Sequence, residues 1–134
     1  MKEFSLHSGM RTLAGAFYPT GHAVVMFPEE THALQTAGAL VAEGFSADEV
    51  QLLKPEAVLT EILQFEADKK GALPSVGTEA ATARSFGELA RQGHYGLLVV
   101  TDDAETAERL MAVVRRVPFS AAQRYRQWVI EDLN

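Results

Sequence analysis

The feature of this 134-residue chain that most limits what it can fold into is an internal repeat. Two segments pass through the same signals in the same order. Each opens on a Gly-His pair, Gly21-His22 and Gly93-His94. Each continues with an apolar run of strand length, an acidic pair (Glu29-Glu30 and Asp102-Asp103) and an alanine-rich helical pattern. Each then reaches the same tripeptide, Phe45-Ser46-Ala47 and Phe119-Ser120-Ala121. The offset drifts only from 72 residues at the histidines to 74 at the phenylalanines. One shared tripeptide would be coincidence, but an ordered series of this kind marks a duplicated unit.

The local signals give each unit as strand, helix, strand. In the first, Ala23-Val24-Val25-Met26-Phe27 is a continuous apolar strand closed by Pro28. A helix over 29–43 places Ala33, Leu34, Ala37, Leu40 and Val41 on one side, with acidic residues at its start and Gly44 just past its end. Asp48 to Leu53 is a short strand cut off by Lys54-Pro55. In the second unit, Tyr95 to Val100 is the strand and 102–116 the helix. Asp102 with Glu105 has the form of a capping box, and Ala107, Leu110, Met111 and Val114 make the buried stripe. Ala122 to Glu131 is expected to close the chain as a single strand. Between the units, 55–69 and 78–92 read as two helices around a loop over 71–77. Val58, Leu59, Ile62, Leu63 and Phe65 line the first, and Ala83, Phe86, Leu89 and Ala90 the second. Residues 1–20 form an N-terminal extension in which Ser8 to Phe17 have the composition of one or two helical turns.

The expected fold is therefore a single α+β domain, a ferredoxin-like split βαβ duplication with a four-stranded antiparallel sheet. Its parts are a first βαβ unit over 22–54, a two-helix insertion over 55–92 and a second unit over 94–133. The first and third strands should be central neighbours, and they are expected to run parallel to each other. Both crossover helices belong on one face. Neither central strand alternates apolar with polar, so the other face needs a cover. A homodimer packing sheet against sheet is expected to supply it, with the insertion at its rim.

Residues 22–54 carry a strand, a helix beginning acid-x-x-x-Ala (Glu29 to Ala33) and the turn Gly44-Phe45-Ser46-Ala47-Asp48-Glu49-Val50. In this they resemble the opening of the general stress protein 17M-like domains, and 94–116 resemble their second half. The likeness spans about two thirds of the chain and rests on small and apolar residues. It departs from the family in the middle, where many members have a Gly-rich apolar stretch and this chain has two polar-faced helices. The resemblance implies a bacterial, stress-associated domain and brings no catalytic residues with it.

Composition narrows the functional classes. With no cysteine, thiolate nucleophiles, disulfides and Cys-type zinc sites are excluded together. A net charge of −6 disfavours nucleic acid and anionic membrane surfaces as partners. No apolar run is long enough to span a bilayer, and the first ten residues lack the apolar segment of a secretory signal, so a cytoplasmic location is expected. An RNA-recognition surface needs aromatics on both central strands, and Tyr95 and Phe27 are a thin basis for one. Arg124, Arg126 and Trp128 form a basic and aromatic group on the last strand, which reads as a solvated, aggregation-resistant edge. No G-x-S-x-G, G-x-G-x-x-G or Walker sequence is present.

Four histidines remain. With parallel central strands, His22 and His94 would meet at one sheet edge as a candidate ligand or metal pair. The plainer account is a strand-entry turn copied by duplication, and no third ligand stands at zinc spacing. The acidic pairs are explained by helix starts. No cofactor and no catalytic residue is expected. The leading functional expectation is a non-enzymatic, homo-oligomeric stress-associated or regulatory domain. The alternatives are a sensor of an unidentified small ligand at a subunit interface and a dimeric enzyme with its pocket between sheet and helices.

Overall fold

In the apolar run His22–Phe27, alternate side chains must leave opposite faces of the strand. In the computed structural model of the chain they enter two separate clusters. The structure describes residues 2–3, 19–63, 78–126 and 129–134. Ala23, Val25 and Phe27 join one cluster, Val24 and Met26 the other. The strand Tyr95–Val100 divides in the same way, Leu97 and Val99 against Leu98. Both faces of the sheet are dry, which is why neither strand alternates.

The elements in chain order are β1 (Lys2–Glu3), β2 (His22–Phe27), α1 (Glu30–Ala42), β3 (Val50–Leu53), α2 (Pro55–Ala57), α3 (Thr78–Arg91), β4 (Tyr95–Val100), α4 (Ala104–Val114), β5 (Ala121–Tyr125) and β6 (Ile130–Asp132). The fold is α+β. Its sheet has the order β1-β3-β4-β2-β5-β6, antiparallel throughout except where β1 lies parallel along β3. Helices α1 and α4 share one face, contributing Ala33, Ala37 and Leu40, and Leu110, Met111, Val113 and Val114. The glycine of each Gly-His pair takes a left-handed conformation (φ +79° at Gly21, +88° at Gly93) as the chain turns into its strand.

The expected parallel pairing of the central strands is wrong. β2 and β4 are neighbours, but antiparallel, with His22 opposite Val100 and Phe27 opposite Tyr95. The strand order accounts for this: β2 and β3, joined through α1, run parallel with β4 between them, and the chain re-enters at Gly96, directly opposite Leu53, so β4 runs antiparallel to both. The duplication predicts parallel central strands and so loses that support, although each segment still gives strand, helix, strand.

The expected single last strand is a hairpin, and with β1 added beside β3 the described strands number six rather than four. β5 stops at Tyr125, the backbone N–H of Arg126 donates to the carbonyl of Val129 at 2.9 Å, and β6 returns along β5. The helix expected over 102–116 runs from Ala104 to Val114, and its cap is one residue later than the expected Asp102. Asp103 is its cap, and its carboxylate accepts the backbone N–H of Thr106 at 2.8 Å.

The insertion packs on the second face. Val58, Phe86 and Ala90 pack on Val24, Met26, Leu53 and Leu98, with Ala57, Leu59 and Leu89 alongside. The premise for sheet-to-sheet pairing, a face left to solvent, therefore fails within one chain. Pro55 starts α2, and the chain continues as a π-helical turn over Val58–Leu63. There the Thr60 hydroxyl donates to the Glu56 carbonyl at 2.7 Å, taking up an acceptor of the tighter turn. The side chains of Ile62, Leu63, Phe65 and Ala83, the helical turns over 8–17, the loop over 71–77 and Trp128 lie outside the described residues.

Candidate functional site

Antiparallel register separates the two histidines expected to meet. His22 enters β2 at one end of the sheet, and His94 precedes β4 at the other, about six residues of strand or roughly 20 Å away. Each has a local partner. His22 Nδ1 lies 3.0 Å from the Thr20 carbonyl, and His94 Nδ1 lies 2.9 Å from the Ser120 hydroxyl. Among the described residues no three His, Asp or Glu side chains are grouped to hold a metal ion.

The His94–Ser120 contact lies within the second unit and ties its Gly-His opening to its own Phe-Ser-Ala. Ser120 belongs to the second Phe-Ser-Ala, and its backbone N–H donates to Met26 at 2.7 Å. Its counterpart Ser46 does something else, accepting the Asp48 N–H while Glu49 reaches back to the Ser46 N–H at 3.0 Å. Among the described residues no carboxylate orients the far nitrogen of His94, so the pair lacks the third member that activates a hydroxyl nucleophile. Nearby, the Tyr95 hydroxyl donates to Glu30. That bond to a carboxylate is the main reason its pKa is raised, with some desolvation and the Glu30 and Glu56 charges adding to it.

The arrangement with chemical potential lies elsewhere, under α4. Ala122 of β5 sits in the α1/α4 cluster, so Arg124, two residues on, projects toward the same face. Arg124 is 8% exposed. Its Nη1 stands 3.4 Å from Oε1 of Glu131, directly opposite on β6. Its Nε–H is buried with no hydrogen-bond partner. A buried guanidinium donor left in that state is costly, since charged groups lose the most on desolvation.

Beside it is a groove of about 160 Å³ lined by Ala104, Ala107, Glu108, Met111 and Arg115 of α4 and its end, with Arg124, Glu131 and Leu133 from the hairpin side. The spacing 104, 107/108, 111, 115 is one stripe of a helix, so α4 presents a continuous wall. Asp103 caps α4 at the groove's upper end. Its pKa is lowered chiefly by the Thr106 backbone N–H, then by the Thr106 hydroxyl, with the charges of Arg124 and Arg109 assisting. Arg109 itself turns the other way, donating to the Glu43 carbonyl at 3.0 Å and stacking 4.9 Å over Phe45.

This groove escaped the sequence reading. Arg124 was legible only as part of a solvated edge, because β6 was not separated from β5. The pairing itself left a trace: Arg124 with Glu131 and Tyr125 with Ile130 are symmetric about 126–129, as opposite charges and apolar partners across a hairpin should be.

Compared with known proteins, the chain matches no protein-family model, no curated protein and no solved structure. The likeness to 17M-like stress proteins thus rests on the two segments that carry it.

Proposed function

We propose that this chain is a ligand-binding regulatory domain, in a ferredoxin-like split βαβ arrangement, that takes a small carboxylate-bearing molecule in the groove between α4 and the β5–β6 hairpin. The strand order β3-β4-β2-β5 with both crossover helices on one face supports that arrangement. The observation that carries the function is Arg124. Arg124 lines the groove, its Nη1 is given to Glu131 and its buried Nε–H has no partner, so the guanidinium is incompletely satisfied, and a carboxylate is the group that guanidinium donors bind best. The groove lies within one chain, so the reading does not depend on a subunit interface. A stress-associated role, as the resemblance implies, is compatible with a domain that reports a small metabolite.

The test is a thermal-shift and calorimetry survey of small carboxylates, amino acids and inorganic phosphate against the wild type and Arg124→Gln. Binding that is present in the wild type and lost in the variant supports the reading. Absence of binding to all of them, or equal binding by both proteins, leaves Arg124 as a tie for the hairpin and nothing more.

A further inference from the structure

The walls of the groove carry both signs of charge. Arg115 and Arg124 stand with Glu108 and Glu131 around an apolar floor of Ala104, Ala107, Met111 and Leu133. A ligand bearing only negative charge gains from the guanidinium groups but meets two carboxylates, and Glu131 already offsets Arg124. A dianion fares worst. A ligand bearing only positive charge meets the converse problem, with Arg124 buried beside it. A molecule with a carboxylate and an ammonium group a few bonds apart finds a partner for each. Size limits it further. A cavity of about 150 Å³ is known to hold benzene, so about 160 Å³ suits a ligand of roughly six to ten non-hydrogen atoms.

We infer that the ligand is a small α-amino acid or a zwitterion of the same build. This rests on the ligand-binding reading above. Its carboxylate meets the guanidinium of Arg124, which lines the groove and which Glu131 engages only through Nη1. Its ammonium group lies toward Glu131 and Glu108. A short apolar side chain covers Met111 and Leu133, where small Ala104 and Ala107 leave room. The two charged ends are thereby held by elements from both sides of the groove, α4 and the hairpin, so binding draws the hairpin onto the helix.

The experiment measures calorimetric affinities of L-valine, of isobutyrate and isobutylamine as its two half-charged analogues, and of inorganic phosphate. Valine is expected to bind about ten-fold or more tightly than either analogue, as a charge-assisted hydrogen bond at each end requires. Arg124→Gln should remove valine and isobutyrate binding together. Glu131→Gln should weaken valine while leaving isobutyrate unchanged or tighter. Glu108→Gln, at an exposed position of α4, provides the same contrast where the hairpin pair is untouched. Isobutyrate or phosphate binding as tightly as valine, and through Arg124, would overturn the zwitterion while the ligand-binding reading stands. Valine binding unchanged in Arg124→Gln and Glu108→Gln, or no binding of any of the four, would overturn both.

Discussion

Arg124 and Glu131 face each other across the β5–β6 hairpin with Nη1 and Oε1 3.4 Å apart, and the two are unequally buried, the arginine side chain 10% exposed and the glutamate 42%. Removing one partner is therefore not equivalent to removing the other. Glu131→Ala leaves a buried guanidinium without the carboxylate it is paired with and should cost roughly 1–3 kcal/mol. Arg124→Met removes the buried charge and the orphaned Nε–H together, keeps most of the volume, and should fall within about 1 kcal/mol of the wild type or above it. Urea unfolding of both variants decides the matter. A larger loss for Arg124→Met than for Glu131→Ala would mean that the arginine holds the hairpin in place.

Gly96 marks a close approach between neighbouring strands of the sheet. A Cβ built there would lie 2.7 Å from Met26 Sδ and 3.1 Å from Leu53 Cβ. The sulfur can move, but a Cβ is tied to its own backbone. Gly96→Ala should therefore destabilise by about 1–3 kcal/mol through overpacking. Pairing it with Met26→Ala should recover part of that loss in a double-mutant cycle, since one of the two clashes is then gone. Strictly additive effects would place the strain at Leu53 alone.

Those two positions also show what the sequence could and could not reveal. The apolar runs in β2 and β4, the duplicated Gly-His and Phe-Ser-Ala signals and the helix between them were all legible, because each is a local pattern of period or punctuation. Strand direction was not. It depends on where a 41-residue connection from Lys54 to His94 returns the chain, and no local signal in β4 records that. Parallel strands would bring His22 and His94 to one edge, whereas the antiparallel register puts them at opposite ends. The hairpin was missed for a different reason: its turn over 126–129 contains no glycine, proline or asparagine to announce it. With the hairpin went the burial of Arg124, and with that the groove.

The covering of the second sheet face gives a prediction about assembly. Met26 and Leu98 are fully buried, and Val24 and Phe86 nearly so, inside a single chain. Light scattering at micromolar concentration should therefore return a mass near 14.6 kDa. Phe86→Ala removes the largest side chain of that cover and should cost about 3–5 kcal/mol, with self-association appearing as the face opens. A wild-type mass of twice the chain would mean that a different surface pairs, because this one is occupied.

The last prediction concerns acid. Asp103 accepts both the backbone N–H and the hydroxyl of Thr106 at 2.8 Å, and Arg124 and Arg109 add favourable charge, so its pKa in the folded protein lies below the ordinary value of 3.8. A carboxyl of lowered pKa binds its proton more readily in the unfolded chain. Its contribution to stability is therefore present above pH 3.8 and is lost as the pH falls through the lowered folded value. Asp103→Asn keeps an oxygen for the cap but has no proton to gain. It should be less stable than the wild type at neutral pH, and the difference should shrink on acidification through this range. Urea midpoints for the two proteins, measured at a series of pH values from neutral downward, should converge at the acid end. Curves that stay parallel throughout would show that the Asp103 charge contributes nothing to holding the start of α4 in place, leaving only the hydrogen bonds of the cap.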